Sequence, residues 1–436
     1  MTSLEDTPET ADQDGTPKSR EWRRHPAFVA AHGAIAAFGT YACMYGFRKP
    51  FTAGLYVEDP FSPGMKAALV AAQLLGYTVS KLIGIRVIAE MPARRRIGTL
   101  LGLIVVAEAA WILFGFLPPA LGTVCLFLNG LPLGMVFGLV LSFLEGRRLS
   151  EAFLAALCCS FIVADGIAKT VGLQLLGAGI PERWMPAAAG AVFAIPLVLF
   201  ASMLGRVEPP SHADVLARAD RGPVDRVARI KFLRRHGMVV GAICLAYLLV
   251  TVLRSLRADF ARELWTALGA PGDAGVFTRS ELWVAFAVLV PMAVLARMGD
   301  NLRAFRIGLV LSCLGLAVVA AACLAWPGGG LDPFAFMVLV GTGLYLPYVA
   351  VHATVFERLI ALTRDRANLG FLMYLADSAG YLGVCGVMLA SKASLAGVAM
   401  LPLFLEAGLW VAVAGIVAFA LAGFLTRPST SPAGNP

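Results

Sequence analysis

The stretch GRVEPPSHADVLARADRGPVDRVARIKFLRRH (205–236) is the one long polar connection in an otherwise apolar chain. It carries Pro209, Pro210 and a basic run ending at Arg234-Arg235. On both sides of it, apolar stretches of about twenty residues recur, each long enough to cross a hydrocarbon core of ~30 Å. Inside lipid the backbone must satisfy its own hydrogen bonds, which leaves helices or barrel strands. The runs are continuous and rich in Ala, Leu, Val and Gly, without the alternation of a barrel, and therefore read as helices.

Six runs precede the connection, at 28–56, 67–89, 97–116, 121–144, 152–177 and 184–204. Six follow it, at 237–260, 281–297, 305–326, 333–358, 368–391 and 401–425. The expected fold is an all-α polytopic membrane protein of about 12 transmembrane helices in two pseudo-symmetric six-helix bundles, the layout of a carrier built from a six-span repeat. The expected organisation is a disordered cytoplasmic tail (1–27), an N-terminal bundle (28–204), a cytoplasmic linker (205–236), a C-terminal bundle (237–425) and a short cytoplasmic tail (426–436). No apolar core of a cleaved signal precedes the first run.

Composition agrees. Of 436 residues 58% are hydrophobic and only 15% charged, with a mean hydropathy of +0.77. A soluble protein of this size needs far more charge on its surface. The net charge of +8 does not point to nucleic acid, because the basic residues gather in alternate loops: Arg94 to Arg96, Arg147 and Arg148, Arg218 through Arg235, Arg297 to Arg306, and Arg358 to Arg366. That asymmetry predicts both termini in the cytoplasm, in a bacterial inner membrane. The eight cysteines form no CxxC pair and the five histidines no HxxxH pattern, so no metal and no cofactor are expected.

A cation at the centre of a spanning helix costs ~2.5–3.5 kcal/mol, so each one requires a reason. Arg48, Lys81, Lys169 and Arg254 lie within or near predicted spans, with Lys49 and Arg257 close to span ends, where reaching back to the interface is one account of them. Tyr41 precedes Arg48 by seven residues in the first span of the first half. Tyr247 precedes Arg254 by seven in the first span of the second. This repeated spacing reads as a pseudo-symmetric pair facing a shared cavity. Glu108, Asp165, Asp377 and Glu406 are the candidate acidic partners. Asp165 and Lys169 share a helix face at i, i+4, as a self-neutralising structural pair or as a pair that substrate or a proton opens. Asp377 has no cation nearby in sequence; a proton site, a partner for Arg254 and a structural hydrogen-bonded carboxylate all remain open.

The two six-span halves with a basic central loop resemble the major facilitator superfamily. The loop signature of that superfamily is half present, in Gly84, Glu90 and Arg94 to Arg96, and again in ARMGDNLRAFR (296–306). Four further stretches resemble its organophosphate:phosphate antiporter branch: MYGFRKPF (44–51), GYTVSKLIG (76–84), NGLPLGM (129–135) and YLLVTVLRSLRADF (247–260). In that branch two arginines, one from each half, hold the phosphoryl group with a lysine nearby. The resemblance therefore implies Arg48, Arg254 and Lys81 as an anion-binding set, with Tyr41 and Tyr247 beside it. The chain departs from the branch in the fifth span, where Asp165 and Lys169 stand in place of a histidine, and in the second, where the order is Gly76-Tyr77. It also resembles a bacterial set of facilitator-like membrane proteins known only as a domain of unknown function.

These readings together predict a transporter of a small anionic metabolite, of organophosphate/phosphate antiporter type, working by alternating access in a lipid bilayer without an obligate protein partner. The alternatives are a proton-coupled symporter that uses Asp165 or Asp377, and a transporter-derived sensor. No nucleophile–base pair or Gly-rich phosphate loop appears, so an enzyme is not expected.

Overall fold

The computed structural model describes residues 26–57, 64–89, 91–143, 150–207, 226–270, 273–363, 369–390 and 400–426. Most of the two expected tails and positions 208–225 of the linker lie outside the described residues. The first bundle comprises α1 (Pro26–Tyr45), α2 (Met65–Ala89), α3 (Ala93–Phe116), α4 (Gly122–Ser142), α5 (Ser150–Gly177) and α6 (Met185–Gly205). The second comprises α7 (Arg226–Asp259), α8 (Gly275–Ala296), α9 (Asn301–Ala325), α10 (Pro333–Ala350), α11 (Leu369–Ala390) and α12 (Met400–Leu425). Eleven described helices are long and apolar enough to cross a membrane. The remaining long helix, α1, has 20 residues without an Asp, Glu, Lys or Arg and packs on α5 and α6.

Two boundaries differ most from the sequence reading: the first run, expected over 28–56, is α-helical only to Tyr45, and the linker, expected over 205–236, ends early. Helix α7 begins at Arg226, so positions 226–236 continue the helix instead of ending the linker. Its 34 residues rise ~51 Å at 1.5 Å each, well beyond the hydrocarbon core, and the basic run is the excess.

Close packing within the first bundle is set by glycine. A Cβ on Gly130 of α4 would lie 2.0 Å from the Gln73 carbonyl oxygen of α2, and one on Gly76 2.2 Å from the Phe127 oxygen. At those two positions the helices touch backbone to backbone, the arrangement that small residues permit in membranes. The opposite faces carry exposed apolar side chains, such as Val105 of α3, Ile195 of α6, Val310 of α9 and Trp410 of α12, as a lipid-facing perimeter requires. The two bundles meet through α2 on α11 and α5 on α8.

Two irregularities position the site. Helix α1 stops at Tyr45, where Gly46 is pressed against the Phe193 ring and Pro50 removes a donor and a helical turn downstream. Helix α10 contains Pro347 and continues through a π turn at Val351–Val355 into Phe356–Thr363. A single π turn within a helix commonly sits at a functional position, and here it carries His352.

Candidate functional site

Ending α1 at Tyr45 frees the carbonyls of the next residues, and side chains of the bundle take them. Trp111 Nε1 donates to the Phe47 oxygen at 2.6 Å, Asn129 Nδ2 to the same oxygen at 3.1 Å, and Gln73 Nε2 to the Arg48 oxygen at 2.9 Å. Gln73 also donates to Asn129 Oδ1 at 2.7 Å. Unwound backbone is tolerated at membrane depth only when it is paired in this way. The asparagine of the NGLPLGM stretch thus anchors the segment that carries Arg48.

Arg48 and Arg254 come together, one from each bundle, in a cavity of about 300 Å³. The Arg48 guanidinium lies 3.9 Å from the Tyr77 ring centre and the Arg254 guanidinium 4.4 Å from that of Tyr348. The Nε of each has no hydrogen-bond partner, and neither forms an ion pair among the described residues. A ring face holds a cation by roughly 0.5–2 kcal/mol, while taking an ion out of water costs several kcal/mol. The tyrosines therefore orient these two charges without neutralising them.

Lys81 has a different status. Its Nζ lies 2.6 Å from Asp377 Oδ2, across the interface between α2 and α11. The other oxygen of Asp377 accepts from the Tyr247 hydroxyl at 2.6 Å and lies 3.2 Å from His352 Nε2. Asp377 is thus a partner of Lys81, not of Arg254. Of the two tyrosines singled out in sequence, Tyr41 lines the cavity, whereas Tyr247 lies behind it, stacked on Tyr348 at 5.2 Å. Asp165 lines the cavity too, and its Oδ2 accepts from Lys169 while Oδ1 has no partner.

Ion pairs between the bundles close the side away from the linker. Lys49 pairs with Asp259. Lys66 Nζ donates to both oxygens of Glu263, at 2.6 and 2.8 Å, and to the Thr52 carbonyl. Arg262 reaches the Ala53 carbonyl at 2.7 Å and Glu182 at 3.6 Å. Glu182 in turn accepts from the backbone N–H groups of Leu55 and Tyr56, holding Tyr56 at a φ of 53°. Within the second bundle, Arg257, 1% exposed, pairs with Glu281 at 2.8 Å. Neither Lys49 nor Arg257 reaches back to the membrane surface: each finds a carboxylate inside the protein. The cavity instead extends toward the linker side, past Gly84 and Ile88 of α2 and Leu141 and Ser142 of α4.

The sequence reading did not single out most of the aromatic wall. Tyr41, Tyr45 and Tyr77 line the cavity from the first bundle, and Tyr345, Tyr348, Tyr374 and Tyr381 from the second. That makes seven of the nine tyrosines in the chain. The signal was helical spacing. Tyr41, Tyr45 and Arg48 follow i, i+4, i+7; Tyr345, Tyr348 and His352 follow i, i+3, i+7; Tyr374, Asp377 and Tyr381 do so again. Each set is one polar stripe on an apolar helix.

The fold is that of known carriers. The crystal structure of the nucleoside transporter NupG matches with a TM-score of 0.60 at 14% identity, covering 92% of this chain and 100% of that one. The crystal structure of a point mutant of NupG matches with a TM-score of 0.62 at 13% identity, covering 90% and 100%. This is the major facilitator fold, and the protein is an integral membrane protein. No curated protein matches the sequence. A family profile does, described as a family of unknown function (DUF5690), across residues 50–427. With most of its length inside that match, the chain belongs to the DUF5690 family.

Proposed function

We propose that the protein transports a small anionic solute by alternating access, exchanging an organophosphate-type anion against phosphate. The observation that carries this reading is the pair Arg48 and Arg254, one from each bundle, the first buried and the second half-buried, lining one cavity with no carboxylate paired to either among the described residues. Guanidinium forks bind phosphate or carboxylate through parallel hydrogen bonds and stay charged at every physiological pH. Empty, the two cations repel across the gap that closure must narrow. An anion between them removes the repulsion and lets the bundles rock, which makes exchange faster than return of the empty carrier. By the positive-inside rule the linker face is cytoplasmic, so the cavity opens toward the cytoplasm of a bacterial cell and the ion pairs close the other side.

The test is counterflow in proteoliposomes preloaded with phosphate, comparing wild type with Arg48→Lys and Arg254→Lys. Exchange should fall at least about tenfold in each, since lysine offers a point charge in place of a fork. Unchanged exchange in both would sink the two-arginine site. Active wild-type protein that exchanges no phosphorylated compound would remove the phosphate assignment.

One observation favours a second reading. His352 and Asp377 lie 3.2 Å apart beside Tyr247, and a carboxylate–imidazole pair in a wet cavity is a chemically competent proton carrier. Uptake that follows an imposed proton gradient in liposomes free of phosphate would make the protein a symporter instead.

A further inference from the structure

The two arginines account for an anionic group but not for the walls around it. A compact anion such as inorganic phosphate needs donors and water, and it gains nothing from aromatic faces. Yet seven of the nine tyrosines in the chain are gathered at this one cavity. Their arrangement is ordered. Tyr77 and Tyr381 meet edge to face at 5.8 Å across the two bundles, and Tyr345 and Tyr348, both on α10, stand edge to face at 6.3 Å. Phe161 adds a ring 5.7 Å from Tyr348, and Phe137 one 5.4 Å from Tyr41. The hydroxyls of Tyr45, Tyr345, Tyr348 and Tyr381, residues that line the cavity, find no hydrogen-bond partner among the described residues. Aromatic rings attract other planar rings in offset or edge-on geometry beyond the gain from buried area alone, and a phenol adds a hydrogen bond for a heteroatom on the ring.

On the reading that this is an anion carrier, we infer that its substrate joins an anionic group to a planar aromatic ring, as an aryl or nucleobase phosphate does. The guanidiniums of Arg48 and Arg254 take the anion and the tyrosines of both bundles take the ring. Because Tyr77 and Tyr381 come from opposite bundles, a ring held beside them touches both moving parts, as the anion does. The substrate thereby bridges the two halves at two points, and its orientation in the cavity is fixed.

The test uses purified full-length protein and four probes in a binding competition: phenyl phosphate, cyclohexyl phosphate, glycerol phosphate and uncharged adenosine. Phenyl and cyclohexyl phosphate match in charge and nearly in size, so only the ring distinguishes them. The expected result is that phenyl phosphate competes at about tenfold lower concentration than either saturated ester. In Tyr345→Leu and Tyr381→Leu that ratio should fall toward one, while Tyr345→Phe and Tyr381→Phe, which keep the ring, should preserve it. If cyclohexyl phosphate binds as well as phenyl phosphate, and both depend on Arg48, the inference is wrong and the anion carrier stands. If adenosine binds and none of the esters does, the anion reading itself falls and takes the inference with it. The comparison of ligands on wild-type protein decides the matter even if a leucine variant does not fold.

Discussion

Lys81 Nζ on α2 and Asp377 Oδ2 on α11 meet at 2.6 Å, an ion pair that lines the cavity and also ties one bundle to the other. Removing one member leaves the other charge enclosed without its ion-pair partner, Asp377 keeping only the Tyr247 hydroxyl and His352, which costs up to about 3–5 kcal/mol in buried settings. Removing both leaves none.

Lys81→Met and Asp377→Asn should each lower thermal stability, and the double variant should recover part of the loss. A double-mutant cycle on unfolding temperature checks this, with an expected coupling of roughly 1–3 kcal/mol. Purely additive losses would mean that the two groups act independently.

How much of this could be read from residue order depends on what kind of cost made a residue visible. Charge in a span is visible at once, so Arg48, Arg254, Lys81 and Asp377 stand out against apolar neighbours. Partnership is not. Lys81 and Asp377 are 296 positions apart, and only the docking of α2 on α11 brings them together. The same holds for Lys49 with Asp259 and Arg257 with Glu281, for which a local rule offered the membrane surface and the fold supplied a carboxylate. His352 escaped because a lone histidine in an apolar run is ordinary, and its spacing from Tyr345 and Tyr348 gains meaning only when all three reach one cavity. Apart from Tyr41, the tyrosines of the wall escaped for a similar reason: aromatic residues in a membrane helix are ordinary one at a time, and only their convergence is informative.

The closed side should open when its ion pairs are removed. Lys66→Met together with Glu263→Gln deletes a pair without leaving an unmatched charge. Ser255 lines the cavity and is 5% exposed. A cysteine placed there, in a background without the native cysteines, should react several-fold faster with a membrane-impermeant thiol reagent added from the side away from the linker once the pair is deleted. Equal labelling rates would show that this pair does not hold that side shut.

Gly130 and Gly98 make opposite forecasts for the same substitution. Alanine at Gly130 would put a methyl 2.0 Å from the Gln73 carbonyl oxygen, a backbone atom that cannot step aside. Alanine at Gly98 of α3 meets nothing within 4 Å. Gly130→Ala should cost at least about 1–3 kcal/mol through overpacking, and Gly98→Ala should stabilise by up to about 1 kcal/mol through helix propensity. Thermal unfolding in detergent measures both.

Asn129→Ala should act on binding through the Arg48 segment. It removes donors to the Phe47 and Ala107 carbonyls, at 3.1 and 3.0 Å, and the acceptor of one Gln73 bond. The Phe47 oxygen keeps Trp111, so the cost is that of lost buried hydrogen bonds, roughly 1–3 kcal/mol. With the segment loosened, affinity for a phosphate ester should weaken more than overall stability does. A fall in unfolding temperature with unchanged affinity would make Asn129 a packing residue only.

The two guanidiniums that rest on tyrosine rings have an electrical consequence. Lys49, Lys81 and Lys169 are each matched by a carboxylate, so among the described residues the cavity carries the two positive charges of Arg48 and Arg254 without a paired counter-charge. A doubly charged anion cancels them, and a singly charged one leaves one behind. Each elementary charge moved across the whole bilayer is worth about 2.3 kcal/mol per 100 mV. A carrier in the proposed cycle would be indifferent to voltage when its passenger is divalent, and sensitive to it when empty or half-neutralised. Patch or solid-supported current recordings would then read the valence of the cargo before its name is known.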